Sequence, residues 1–470
     1  MSKAIQKSYA RASANEPSSF IKPTLKRGLA ILGTSGLVIG LGIATNTPAV
    51  ANGAIDCTGN TVTAVADPAT NKAAIVSKLS ATGTVCLSGN FVISDAIIFD
   101  RDIQVKGVGD SSIEPLDSGG VFLSEEEPDY HNITIETLSI RNAGSTSNPE
   151  PAVFGLEVIV KNSTFQGNSY GAIYGGDVEV LNSTFINNSA DEDGFRDGGA
   201  IWADGSVSAI NSTFVNNDAL NGGAIYSDTV NIVNSTFLDN EASNEGGAIY
   251  SFTGTVYLST FVNNLATPPS DSPGADTPGN AIYKEGRGDP PSYSGFQVGG
   301  NIFAGESEYP QLGYGSVPSQ FIDMGGNVFS TPVGVETDIA EDPFTDPIAK
   351  HESTFFGADL IELFGTLSPS LETHQPNSSG TQTIALASGS PALNRVLETS
   401  INLTPVPTLD QRGAARSFPA DSGAFEGFVS RSLATTGTTT PWWAAWYALA
   451  SLAIGGIAIA YAKRTRRRNR

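Results

Sequence analysis

The chain has 470 residues, too many for one ordinary hydrophobic core, so it holds either several domains or a repeat architecture. Only two cysteines are present, which excludes a disulfide-rich scaffold and a thiolate metal site. The formal charge of −22 deepens in the middle: six of 26 basic residues precede residue 52 and six follow residue 462, leaving 14 against 47 acids, a net of −33 that argues against nucleic acid or anionic lipid as a partner.

At the N-terminus, Lys3, Lys7, Arg11, Lys22, Lys26 and Arg27 precede the apolar run Leu29 to Ala44, and Ala49-Val50-Ala51 follows it. This order predicts a secretory signal peptide over residues 1–51, with Ala49 and Ala51 marking cleavage after Ala51. A short transmembrane helix is the competing reading, although the run spans only 16 residues. Export exposes the chain to oxidising conditions, in which Cys57 and Cys86 can close a disulfide; two separate buried thiols are the alternative.

The centre repeats itself. Phe165, Phe185, Phe214, Phe237 and Phe261 are each followed three residues later by Asn168, Asn188, Asn217, Asn240 and Asn264. Ile173, Ile201, Ile225, Ile249 and Ile282 each lie in a GGAIY-like segment. The spacing from each Ile to the next Phe is 12, 13, 12 and 12, whereas from Phe to Ile it is 8, 16, 11, 12 and 21. One half of the unit is rigid and the other takes insertions, as expected of stacked solenoid turns with a variable loop. Rigid segments such as TVNIVNSTF have the alternation and β-branched enrichment of short strands, and Gly and Asn mark turns. The fold expected is all-β, a parallel β-helix over residues 52–340, with roughly a dozen coils stacked ~4.8 Å apart. Phe and Ile columns would fill its interior, the Asn would satisfy backbone groups of the next coil, and Gly-Gly would permit a tight bend.

The pair FxxN and GGAI resembles the repeats of the polymorphic outer-membrane proteins of chlamydiae, a right-handed β-helix family, which implies a right-handed parallel β-helix of the pectate-lyase type here. The resemblance covers about residues 160–285, with Tyr170-Gly171 and Gly279-Asn280 departing from Gly-Gly. Downstream, TQTIALASGSPALN (381–394) and DQRGAARSFPADSGAFE (410–426) are similar to the end of secreted bacterial β-helix proteins with interchangeable anchors. The resemblance makes residues 341–427 C-terminal coils and a cap. Asp410, Arg412, Arg416, Asp421 and Glu426 are read as a salt-bridge network closing the solenoid.

Few residues suggest chemistry. A polysaccharide lyase would need acids holding a cation and a basic residue as proton acceptor; Asp191, Glu192, Asp193, Arg196 and Asp197 are the best candidates, on a variable loop. A glycoside hydrolase would need paired carboxylates on successive coils, and Asp177, Glu179 and Asp228 are scattered. His131, His351 and His374 lack partners at metal spacing, so no catalytic residue, metal site or cofactor is assigned. The NST triplets at Asn162, Asn182, Asn211 and Asn234 match a glycosylation sequon but recur because the repeat recurs. After each Ile stand Tyr174, Trp202, Tyr226, Tyr250 and Tyr283, which strand alternation puts outside. They form either an external ladder or a strip for a glycan or a surface protein of a host or neighbouring cell.

Last come residues 428–436, a linker ending in Leu433, Ala434, Thr435 and Thr436, with Gly437 opening the segment 437–470. Pro441 to Ala462 is an uncharged apolar run of 22 residues before KRTRRRNR. The run suits a transmembrane helix, and the basic tail places the C-terminus in the cytoplasm. LATTG, apolar helix and arginine-rich tail together resemble a cell-wall sorting signal of the LAxTG variant of high-GC Gram-positive bacteria. This implies sortase and peptidoglycan as partners; otherwise the helix stays as the anchor. The function expected is that of an exported, wall- or membrane-anchored β-helix with an adhesin-like or structural role. The alternative is a wall-anchored polysaccharide lyase or glycoside hydrolase.

Overall fold

The computed structural model describes residues 55–427 except 118, 126–129, 145–148, 191–196, 269–277, 286–295, 306–309, 315–320, 331–352, 367, 374–379 and 398–406. Its strands join one large parallel sheet wound into a β-helix, with a small second sheet of Asp218–Asn221, Glu241–Glu245 and Leu265–Ala266 on the variable side. Each clear repeat supplies a strand of nine or ten residues, such as Ile173–Leu181 or Ile201–Ile210, and a three-residue strand such as Thr184–Ile186. Register is in phase with the repeat, so like residues stack. Following the Phe column through its pairings gives Phe91, Ile113, Ile140, Phe165, Phe185, Phe214, Phe237, Phe261, Phe303, Phe329 and Phe356, eleven rungs. At ~4.8 Å per step, the ten steps span roughly 48 Å. The last of these strands, Phe355–Ala358, lies beyond residue 340.

The corners explain the polar half of the repeat. Asn162, Asn182, Asn211 and Asn234 all have φ near +50°, the left-handed region that asparagine tolerates best after glycine. The serine that follows each of the first three accepts a backbone N–H from the previous coil and donates to the carbonyl two residues back: Ser183 Oγ receives Ser163 N at 3.1 Å and donates to Leu181 O at 2.9 Å. The threonine points outward and the phenylalanine inward. Each letter of the NST triplet thus has a structural task. Asn187, Asn216, Asp239 and Asn263 turn the next corner, again with φ near +50°. The buried Asn that ends FxxN then clips two coils together: Asn188 Nδ2 donates to Phe165 O at 3.2 Å and to Asn217 Oδ1 at 2.9 Å, and its N–H donates to the same Oδ1. In Gly-Gly the first residue supplies the positive φ, +61° at Gly222. The second supplies room, because a Cβ on Gly223 would meet Gly247 O at 2.2 Å.

The repeat pattern gave no sign of the helix α1, Pro68–Thr82, although Asp67 caps it by accepting from Thr70 N, Pro68 opens it and Gly83 ends it at φ +68°. Ile75 and Leu79 join the solenoid core beside Val85 and Phe99. Buried Asn71 donates to Val65 O and Val92 O, tying α1 to the first turn. The strand Thr61–Thr63 pairs with Thr84–Ile93, and Cys57 is bonded to Cys86 with their Cα atoms 5.6 Å apart.

Residues 381–397 and 407–426 correct the expected end cap. Its charged network is there: Asp410 carboxylate accepts from Arg412 Nε and from the backbone N–H groups of Arg412, Ala414 and Glu426, while Arg416 meets Glu426 at 3.3 Å. The network lies along the side of the coils, not across an end. Thr236 Oγ1 donates to Gln411 Oε1 at 2.6 Å, Gln411 Nε2 donates to Thr213 Oγ1 and Ser212 O, Arg416 Nη2 donates to Asn234 Oδ1, Ala424 N donates to Thr260 Oγ1, and Ser422 Oγ donates to Gly326 O. The physical reason is the outward column of the short strands. It reads Ser139, Thr164 and Thr184 where partly exposed, then Thr213, Thr236, Thr260, Ile302 and Val328 where covered. Beside it, outward Val215, Leu238, Val262 and Ala304 pack with Leu360 and Leu363 of α2, Leu360–Phe364, and with Ile384 and Ala392. A row of outward apolar residues requires a cover, and the chain folds back along the coils to supply it.

Candidate functional site

On the outer surface of the GGAIY strands the rings of successive coils come together. Phe154 and Tyr174 lie 5.1 Å apart, Tyr174 and Trp202 stack at 4.6 Å, Tyr226 and Tyr250 at 4.8 Å, and Tyr250 and Tyr283 at 5.0 Å. Trp202 and Tyr226 instead meet edge to face, 6.3 Å apart and at 87°. All pairs are in register through the strands that carry them, so the column follows directly from the stacked Ile positions. Tyr174, Trp202 and Tyr226 are partly buried, and Tyr250 and Tyr283 are only 7% and 1% exposed, so the expectation of five exposed aromatics is corrected: three rings keep part of their surface in solvent and two are covered. Tyr250 is crowded by Phe252, edge-on at 6.2 Å, and donates from its hydroxyl to Glu285 at 2.5 Å, while Tyr283 stacks beneath it.

The strip is longer toward the N-terminal coils than the repeat suggested. Phe154 continues it and Tyr130 closes on Phe154 edge-on at 5.2 Å. The signal was present in Ala152-Val153-Phe154, which repeats the Ala-Ile-Tyr pattern without its Gly-Gly. Tyr170, standing where other coils have the first Gly, adopts φ +65° and packs against Tyr174 and Trp202. Carboxylates accompany the rings. Tyr174 Oη donates to Asp204 at 2.9 Å, and burial, with that carboxylate, raises the Tyr174 hydroxyl well above its ordinary value. Tyr250 is raised likewise by burial and then by Glu285, with Glu245 adding.

The residues weighed for catalysis are placed as follows. Asp177 accepts from Ser206 N and Oγ at 2.8 and 2.6 Å. Glu179 faces out two residues later; burial pushes its carboxyl up, opposed by Lys161 and reinforced by Glu157, and Glu179 Oε2 is buried with no hydrogen-bond partner. Asp228 adjoins Asp204 instead, so the three acids do not converge. Asp197 accepts from Asn221 Nδ2, while residues 191–196 lie outside the described residues. His131 donates its backbone N–H to Ser124 Oγ; His351 and His374 are outside the described residues. Among the described residues no group of three or more His, Cys, Asp or Glu could hold a metal ion. Ala49, Ala51, the pentapeptide Leu433 to Gly437 and the apolar run 441–462 also lie outside them. Among the described residues no helix is long and apolar enough to cross a membrane.

A family model for the Chlamydia polymorphic membrane protein repeat matches residues 234–251. The match spans one NSTF…GGAIY unit, from the left-handed Asn234 through buried Asn240 and the Gly246-Gly247 bend to Ser251. The same unit recurs in register in the neighbouring coils, so the likeness is to a structural repeat. No curated protein matches the chain.

Proposed function

We propose that this chain is an exported surface protein that displays a β-helix outside a Gram-positive, actinobacterial-type cell in an adhesin-like or structural role. The observation that carries the reading is the strip of stacked aromatics on the outside of a solenoid, where Tyr174, Trp202 and Tyr226 on successive coils stay partly exposed. The match of residues 234–251 to a polymorphic membrane protein repeat supports the same class. The order of residues 1–51, 52–340, 341–427, 428–436 and 437–470 supports delivery by a signal peptide, with cleavage after Ala51, and retention through the C-terminal segment. In this reading a sortase attacks the Thr436 carbonyl, Gly437 leaves with the helix and basic tail, and peptidoglycan becomes the covalent partner. The strip then meets a glycan or a protein on another surface.

Mass spectrometry of wall digests tests attachment. A peptide ending at Thr436 and joined to a peptidoglycan stem supports it; a protein wholly extracted by detergent with its arginine tail intact makes the helix the permanent anchor. A second reading, a wall-anchored polysaccharide lyase or glycoside hydrolase, draws on Glu179, whose unpaired buried oxygen and raised carboxyl suit a proton donor. Release of unsaturated or reducing ends from acidic or neutral glycans would favour it over the first.

A further inference from the structure

A second ladder of asparagines runs along the outside of the coils, at the corner that the NST triplets turn. Asn182 Nδ2 donates to Asn162 Oδ1 at 3.2 Å, and Asn211 Nδ2 donates to Asn182 Oδ1 at 3.2 Å. Asn234 is next in register, with the same left-handed φ, and the pattern calls for it to donate to Asn211 Oδ1. Instead its Nδ2 donates to Leu409 O at 2.8 Å and its Oδ1 accepts from Arg416 Nη2 at 3.0 Å, so residues 407–426 hold both ends of its amide. Asn211 Oδ1 is left buried with no hydrogen-bond partner among the described residues, and so is Nε of the same Arg416. Docking of 407–426 thus leaves two buried polar atoms unpaired, one on each side of the contact.

We propose that residues 407–426 are a releasable strap, and that Asn234 exchanges partners as it moves: Leu409 and Arg416 while the strap is docked, Asn211 once it lifts. Rotation of one side chain is enough, because Asn211 and Asn234 lie on adjacent coils in the same relation across which Asn182 and Asn211 already bond. In the lifted state the ladder is complete and Arg416 reaches water, so neither polar atom stays unpaired. The strap's own network, in which the Asp410 carboxylate accepts from Arg412 Nε and Glu426 N, travels with it. The docked strap meets the coils at Asn234, Thr260, Gly300 and Gly326, along their side. In the surface-display reading, on which this use rests, residues 428–470 hold the chain, so a pull reaches the coils first through these contacts. Lifting the strap then lengthens the tether between anchor and coils while the Phe and Asn columns inside stay stacked.

The test is hydrogen–deuterium exchange of the full-length protein. It compares the Gly423 and Ala424 amides, which bond the coils, with the Thr184 amide inside the stack. In the parent the two strap amides should exchange about tenfold faster than Thr184, or more. Asn211→Gly keeps the left-handed corner but removes the acceptor that secures the lifted state, so it should slow both strap amides by about three- to tenfold. Asn234→Gly takes two bonds from the docked strap and should speed them; in that background Asn211→Gly should change them by less than about twofold. Asn162→Gly, at the exposed start of the same ladder, should leave them unchanged. Each rate is taken relative to Thr184 in the same sample, so a general loss of stability does not imitate the effect. Strap amides that exchange no faster than Thr184, or that Asn211→Gly does not slow, overturn the proposal. Equal slowing by Asn211→Gly in both backgrounds also overturns it, because water and not Asn234 then pairs Asn211 Oδ1. The exchange result does not depend on how the chain is held, and the wall digest does not depend on Asn211, so the strap and surface display stand or fall separately.

Discussion

Replacing Asn217 by alanine cuts the asparagine ladder at its centre. Asn217 is fully buried; its Nδ2 donates to Phe185 O at 3.2 Å and Asn240 Oδ1 at 2.9 Å, and its Oδ1 accepts Asn188 N at 3.1 Å and Asn188 Nδ2 at 2.9 Å. After substitution Asn240 Oδ1 keeps the Asn217 backbone donor and Asn188 Nδ2 keeps Phe165 O, but the Asn188 N–H and the Phe185 carbonyl lose these partners inside the coil. At ~1–3 kcal/mol for each of these two buried groups left unpaired, the cost should be about 2–6 kcal/mol. Asn231 is the control: its side chain is exposed and, among the described residues, bonds Ser208 and Thr255, so Asn231→Ala should cost less than about 0.5 kcal/mol. Asn240→Ala breaks one of the same bonds from the other side, Asn217 Nδ2 to Asn240 Oδ1, so the double variant should be less destabilised than the sum by about 1 kcal/mol. A solenoid need not unfold in one step, so the assay is native-state hydrogen exchange of the amides at Asn188, Asn217 and Asn240 beside urea unfolding. If Asn217→Ala costs no more than Asn231→Ala, or if the two ladder variants add, the asparagines are not clipping the coils and the reasoning fails.

Phe237, stacked 4.7 Å from both Phe214 and Phe261, should cost about 3–5 kcal/mol as alanine, read from the urea midpoint. Gly223→Ala should cost at least about 2–3 kcal/mol, because its Cβ would press on two carbonyl oxygens of adjacent backbone; Gly59→Ala, with open space around it, should cost markedly less in the same titration. Arg416→Met removes the partner of buried Glu426 and should destabilise the flank by about 3–5 kcal/mol, seen as faster exchange at Gly423 and Ala424 while Phe165 and Phe185 stay protected. Glu179 has a raised carboxyl, so its neutral form is favoured in the folded state: its contribution is full below the unfolded value and is lost as pH rises through the folded one. Glu179→Gln should therefore match or exceed the parent's melting temperature at pH 7, with the difference closing below about pH 4; a variant less stable at pH 7 than the parent would refute this.

What the sequence determined by itself is the part of the structure that repeats. Strand alternation puts Phe237 in and Thr236 out, and asparagine tolerates the left-handed corner at Asn234. Glycine is needed where Gly223 meets the next backbone. These are local requirements, and stacking in register multiplies them until the period is legible. Tertiary structure decided the rest. Whether a Tyr beside the Ile is open or covered depends on neighbours such as Phe252 and Glu285, so Trp202 and Tyr250 hold the same place in the repeat with different exposure. The turn of the ring plane between Trp202 and Tyr226 has no counterpart in their identical spacing. Most of all, Gln411 meets Thr213 and Arg416 meets Asn234 across nearly two hundred residues, and no local pattern encodes that approach. The residues of a buried charge network can be recognised from composition. Which surface removes them from water is set by the apolar row that the completed coils leave uncovered.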